Sequence, residues 1–322
     1  MNDVGVVEDG HGAAADGPGD LPARAWRDVA RRVRGEVRDD HVVLTAAGVA
    51  FFGFLALIPA MGAVVAVYGL VADPAEVQQR AGDLFASAPE EARTLLAEQM
   101  DRVVGSSGGA LSLGLALSLV VALWSASSGM DHLLEALDVV YDEEPPAGGV
   151  GRRLRALLAT LAAVVTLALA VGAVAVVGAL VGDADLPGPL RWLARIGSYA
   201  VAALVAVAAL SVLYRHGPDR DRARWRWVTP GSILDVVGWL AASVALQLYA
   251  ANAGSYGATY GSLAAVVLLL LWLLVSAAVV LLGAELNAEL ERQTARDSTR
   301  GPEQPMGRRG ATAADTLGPR HR

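Results

Sequence analysis

Long apolar runs separated by short polar ones dominate the chain. The apolar blocks cover about residues 42–71, 110–128, 156–181, 191–213, 228–251 and 262–284. A run of about 18 or more apolar residues is long enough to cross a hydrocarbon core of roughly 30 Å. The pattern therefore predicts an all-α, polytopic membrane bundle with six transmembrane helices. The first block is free of charge and contains Pro59. It is longer than the bilayer requires, so a tilt or a kink near that proline is expected.

The polar intervals differ in kind. Residues 1–22 are rich in Gly, Ala and Asp without periodicity and read as a disordered tail. Over residues 23–41, Trp26, Val29, Ala30, Val33 and Val37 recur at helical spacing, and arginines cover much of the remaining surface. This predicts an amphipathic helix in the cytoplasmic headgroup layer. Residues 73–109 form a long loop with seven acids and three arginines. After residue 128, Met130, Leu133, Leu134, Leu137, Val140 and Tyr141 make an apolar stripe opposite Asp131, Glu135, Asp138 and Asp142, so the second span is expected to continue as a helix to Pro145. Residues 214–227, "YRHGPDRDRARWRW", form a basic loop with Trp225 and Trp227 expected at the aromatic belt. Residues 285–322 read as a mostly disordered tail.

Charge assigns these intervals to sides. The N-terminal segment, the segments after spans two and four, and the C-terminal tail together hold 21 arginines, against 5 in the alternate segments. The positive-inside rule puts both termini in the cytoplasm, as an even number of spans requires. Composition then removes several chemistries. There are no cysteines, the basic residues are all arginine, and the net charge is −7, which does not suggest nucleic acid. His11, His41, His132, His216 and His321 are scattered, with no metal-ligand spacing and no phosphate-binding glycine loop nearby. No metal, cofactor or enzymatic activity is expected.

Inside a membrane the informative residues are polar ones at depth, because an unpaired charge there costs about 2.5 kcal/mol or more. Asp235 lies about two turns into the fifth block, after Pro230 and Gly231, and Glu285 closes the sixth on the same side. Asp235 is read as a proton- or cation-linked group facing the bundle, paired with an arginine of the basic loop. An interfacial position for both acids is the plainer alternative. Gln247 and Asn252 lie toward the other end, and Trp272 sits mid-span, where it packs on a helix or lines a cavity. Ala46, Ala50, Gly53, Gly172 and Gly178 suit close helix approach. The connection "NAGSYGATYGSL" carries Tyr256, Gly257, Tyr260 and Gly261, two Tyr-Gly pairs where a single turn needs none.

Several segments taken together resemble the YihY/BrkB family of bacterial inner-membrane proteins: "AAGVAFFGFLALIPAM", "LWSASSGMDHLLEALDVVY", "LYRHGPDR", "WVTPGSILDVVGWL" and "YGATYGSLAAVVLLLLWLLVSAAVVLLGAELNAEL". They occur in register over about residues 25–292. The resemblance implies six transmembrane helices in the cytoplasmic membrane. It adds Trp124, Tyr214, Arg215, Pro218 and Gly283 to the positions of interest. The family's older label, ribonuclease BN, finds no histidine-rich cluster here. The expectation is a membrane transporter or lipid-handling protein of the cell envelope without ATPase activity, whose partners are membrane lipids and a lipid or small-molecule substrate. A membrane scaffold that recruits proteins through the 130–144 stripe and the basic loop is the alternative, and a hydrolase comes third.

Overall fold

A computed structural model describes residues 11–71, 110–144, 149–183, 187–252 and 263–319. The loop at 73–109 and the Tyr-Gly turn, with Tyr256, Gly257, Tyr260 and Gly261, lie outside the described residues. The regular structure among the described residues is helical, with one isolated antiparallel bridge between Ala223 and Thr299. The helices are α1 (Ala23–Asp39), α2 (Val42–Val71), α3 (Ala110–Val140), α4 (Val150–Asp183), α5 (Gly188–His216), α6 (Trp225–Asn252), α7 (Leu263–Glu291) and the single turn α8 (Thr312–Asp315).

By length and composition, Gly188–His216, Trp225–Tyr249 and Val266–Glu291 can each cross a membrane. The bent pair Ala23–Asp39 and Val42–Ala56, at 61°, passes the same test together. Outward faces of these rods are apolar and uncovered: Leu204, Val237, Val244 and Leu248 are each more than half exposed. In water such a surface would aggregate. In lipid it costs nothing, because acyl chains are as apolar as the side chains themselves.

Helix α7 is the hub, packing on α6 and α2 and, near its C-terminal end, on α1 and α3. The α2–α3 crossing closes at Gly129, where a Cβ would stand 3.3 Å from the Gly53 Cα. Ala46 and Ala50 are buried as expected, while a Cβ on Gly172 would meet nothing within 4 Å. Helix α3 stops at Val140, short of Pro145. Asp142 takes a left-handed conformation (φ 52°), its N–H bonds the Val139 carbonyl at 3.0 Å, and the Glu143 N–H reaches the Asp138 carbonyl at 2.9 Å. This is a Schellman termination, with aspartate in the place glycine usually takes.

The terminal segments depart from their compositional reading. Ala15 and Leu21 are buried with Ala25, Val29, Trp227 and Leu290, and Ala13 is buried as well. The Thr294 hydroxyl donates to the Ala15 carbonyl at 2.7 Å, and the Ala295 N–H to the Ala13 carbonyl at 2.8 Å. Beyond α7 the chain folds back over the loop at 217–224. Arg309, almost fully buried, donates to the carbonyls of Ala295 (2.7 Å), Arg296 (3.1 Å), Gln304 (3.2 Å) and Ala314 (2.7 Å). One guanidinium thus gathers a segment too polar to build an apolar core of its own. Composition misses the docking of the N-terminal segment because its partners, Thr294 and Ala295, lie near the other end of the chain.

The Trp pair also divides. Trp225 is half-exposed with the Arg215 guanidinium 4.4 Å above its ring, whereas Trp227 is buried in the small cluster rather than placed at a belt.

Candidate functional site

Polar groups concentrate where α5, α6 and α7 meet at the end of the bundle that carries α1 and the C-terminal segment. Pro230 interrupts the first turns of α6. A proline supplies no N–H and disturbs the helical ladder around it, so its neighbours need other partners. Asn287 of α7 provides them. Its Oδ1 accepts the Gly231 N–H at 2.8 Å, and its Nδ2 donates to the Val228 carbonyl at 3.1 Å. These two bonds fix the amide's orientation, since the reversed amide would set donor against donor.

Glycines make the approach close enough. A Cβ on Gly231 would collide with the Gly283 carbonyl and the Asn287 amide, and one on Gly283 would strike the Asp235 carboxylate. Asp235, one turn beyond Gly231, is 1% exposed. The Tyr214 hydroxyl, on the last turn of α5, shares a hydrogen bond with Asp235 Oδ2. The Val280 carbonyl lies 2.7 Å from the same hydroxyl. Asp235 Oδ1 has no hydrogen-bond partner among the described residues. Beneath this trio the Ser211 hydroxyl meets that of Ser232 at 2.9 Å, and Ser232 donates to the Val228 carbonyl at 3.0 Å.

A second carboxyl, Glu285, is equally buried, and neither of its oxygens has a partner among the described residues. It looks away from Asp235, toward α1 and the α1–α2 hinge, where Asp40, Glu36 and Glu289 are its ionisable neighbours. Burial, with acidic neighbours adding to it, holds Asp40 above the usual carboxylate range.

The outer shell is ionic. Arg220 of the basic loop bonds both oxygens of the fully buried Glu291, at 2.9 and 2.7 Å, and lies 4.8 Å from the Tyr141 ring centre. Ser298 adds a third bond to Glu291 at 2.7 Å. Arg32 pairs with Glu289 and donates to Gln293 at 2.7 Å. Glu289 also takes Arg292 at 2.6 Å, and Arg292 reaches Asp142. Bidentate and shared contacts of this kind are what offset the cost of desolvating buried charge. On α3, Asp131 and Glu135 each take Arg152 at 2.9 Å. Asp138 accepts the Asp219 N–H at 2.8 Å beside Arg155, and burial pushes its carboxyl up to about 6.

The structure therefore brings together Tyr214, Pro230, Gly231, Asp235 and Gly283, with Glu285 on the neighbouring face of α7. It corrects the expected partner of Asp235, which is a phenol and not an arginine of the basic loop; that arginine serves Glu291. Arg215 and the buried Pro218 flank the cluster without entering it. Trp272 packs edge-on against Trp239, ring centres 5.8 Å apart, with the Trp239 indole donating to Ser276 at 3.0 Å. Trp124 lies elsewhere, under the Arg153 guanidinium at 4.3 Å. Gln247 is exposed toward the other end, and Asn252 is the last residue of α6. Among the described residues no group of three or more His, Asp or Glu is placed to hold a metal ion.

Asn287, Arg220, Glu289, Glu291 and Arg32 were not singled out from sequence. The available signal was "GAELNAELE", four polar residues spaced through the end of an apolar helix.

The chain matches the family described as Virulence factor BrkB over residues 33–307. It is 28% identical over 262 residues to YfkH of Bacillus subtilis (strain 168), a protein named as ribonuclease-like, covering 77% of this chain and 90% of that one. It is 27% identical over 291 residues to a UPF0761 membrane protein of Verminephrobacter eiseniae, covering 88% of this chain and 67% of the relative. A UPF0761 membrane protein of Methylibium petroleiphilum is 26% identical over 266 residues, 82% of this chain and 62% of that protein. No solved structure matches the chain.

Proposed function

The chain belongs to the Virulence factor BrkB family, and on that premise we propose that it is a bacterial inner-membrane protein that moves a lipid or small solute without ATPase activity. In this reading the six apolar blocks are six spans and both termini are cytoplasmic. The protein is not an enzyme, and it carries no metal and binds no nucleic acid.

The observation that carries the proposal is the chain of groups Asp235, Tyr214 and the Val280 carbonyl at the proline-disturbed turn of α6. A phenol has one proton and here faces two acceptors. A proton on Asp235 resolves the conflict: the carboxylic acid donates to Tyr214, and Tyr214 donates to Val280. The site then holds a neutral acid inside a membrane-spanning helix, where a bare carboxylate would cost several kcal/mol. A group that must be neutral in one arrangement and can ionise in another is what proton-linked transport needs.

The scaffold alternative loses its main surface, because Leu134, Leu137, Val140 and Tyr141 are buried in the protein's own core. The test is flux in sealed liposomes with an imposed pH gradient. Wild-type protein should show gradient-dependent movement of lipid or solute, and Asp235→Asn should abolish the gradient dependence while keeping its helical signal and melting temperature. Equal gradient response in a folded Asp235→Asn variant removes Asp235 from the mechanism.

A further inference from the structure

On the outer side of α6, away from Asp235, lies an open groove of about 780 Å3. Pro230, Ile233, Leu234 and Val237 form one wall, with Leu286 behind them. The opposite wall is Trp26 and the turn at residues 17–20. That turn is held in place: the Asp20 N–H bonds the Gly17 carbonyl at 3.0 Å, and the buried residues on either side anchor it to the end of α7. The Arg226 stem runs against it, so close that a Cβ on Gly17 would stand 3.0 Å from the Arg226 Cδ.

The chemistry of the groove is asymmetric. Its length along α6 is apolar for about 10 Å, from Pro230 to Val237. Its mouth carries one base and one acid, Arg226 and Asp20, both exposed and neither in an ion pair among the described residues. An apolar trough ending in a cation and an anion complements an amphiphile with a zwitterionic head.

We infer that this groove is a binding site for a phospholipid with a primary-amine headgroup. Its phosphate sits on the Arg226 guanidinium, its ammonium on Asp20, and one acyl chain lies along Ile233, Leu234 and Val237. The inference deepens the lipid-handling reading above and rests on it for placing α6 against lipid. A free phosphate would leave the trough unused, and a purely anionic lipid would set its head against Asp20.

The experiment uses the full chain in nanodiscs made with equal parts of phosphatidylethanolamine, phosphatidylcholine and phosphatidylglycerol, followed by gentle detergent exchange and native mass spectrometry. Wild-type protein should retain one phosphatidylethanolamine per chain in preference to the other two. Arg226→Gln should reduce that retention about tenfold, the loss expected for one charge-assisted contact, and Arg226→Lys should restore most of it. Asp20→Asn should keep a lipid but lose the preference over phosphatidylglycerol. Both side chains are exposed, so the melting temperature should not move. Retention without headgroup preference, or undiminished retention in Arg226→Gln, overturns the site. Flux separates the two readings: retained phosphatidylethanolamine without any flux sinks transport and leaves the site standing, and flux without retained lipid does the reverse.

Discussion

Two glycine-mediated crossings hold this bundle together, and they are used differently. At the α2–α3 crossing, Gly129 rests on Gly53 and the contact is backbone on backbone, with Phe52 stacked on His132 at 3.7 Å nearby. At the α6–α7 crossing, Gly231 and Gly283 remove the same bulk, but the space is filled by Asn287 and Asp235. Small residues let helices approach in either case. Only in the second does the approach bring buried polar groups into bonding range, beside the turn of α6 that carries Pro230. The first crossing packs backbone on backbone, whereas the second packs around Asp235, whose Oδ1 has no partner among the described residues.

Substitutions can break or sharpen this contrast. The largest effect is expected at the ionic margin of the polar crossing. Glu291→Ala strands the buried Arg220, and breaking such a pair costs about 3–5 kcal/mol. Detergent-solubilised variant protein should melt far below wild type, and a normal melt would show that Arg220 finds water or another acid. Next comes Asn287→Leu, which leaves the Gly231 N–H unpaired at about 1–3 kcal/mol, while the Val228 carbonyl keeps the Ser232 hydroxyl. Equilibrium unfolding should register a loss of that order, and none at all would mean the α6 turn repairs itself.

Gly283→Ala sets a methyl into the Asp235 carboxylate and should cost about 1–3 kcal/mol as overpacking. Gly53→Ala, whose Cβ would meet nothing within 4 Å, should be silent by the same measurement. Equal effects at the two positions would erase the distinction between the crossings.

The smallest effect concerns pH. Asp138, ten residues past the apolar block of α3, has its folded carboxyl raised from 3.8 to about 6. The folded state therefore holds this proton more tightly than the unfolded state, and stability falls as pH rises between those two values. Melting should drop by the equivalent of about 1 kcal/mol between pH 5 and 7, and Asp138→Asn should remove that slope. An unchanged slope would assign it to Glu36, Asp40 or Glu143, whose carboxyls are also raised by burial.

Much of this architecture was legible residue by residue. Hydropathy placed the long helices because each satisfies its own backbone hydrogen bonds, so segment composition is enough to select it. Asp235, Pro230, Gly231 and Glu285 were legible as candidates because polar or helix-breaking residues inside apolar runs are costly and stand out. Asn287 and Arg220 were not, since each sits among other polar residues and nothing local marks the partner. The end of α3 was misread for a related reason: proline announces a stop in sequence, whereas the stop at Asp142 depends on bonds back to Asp138 and Val139.

By itself, then, the sequence determined that the chain is a set of apolar helices made for lipid, because that property is summed along each segment. Which carboxyl meets a tyrosine and which an arginine, and whether the polar ends are loose or gathered under Arg309, was decided only by the tertiary structure. Those outcomes depend on which residues meet in space, some of them, such as Asp16 and Arg296, 280 positions apart, and hydropathy carries no information about pairing.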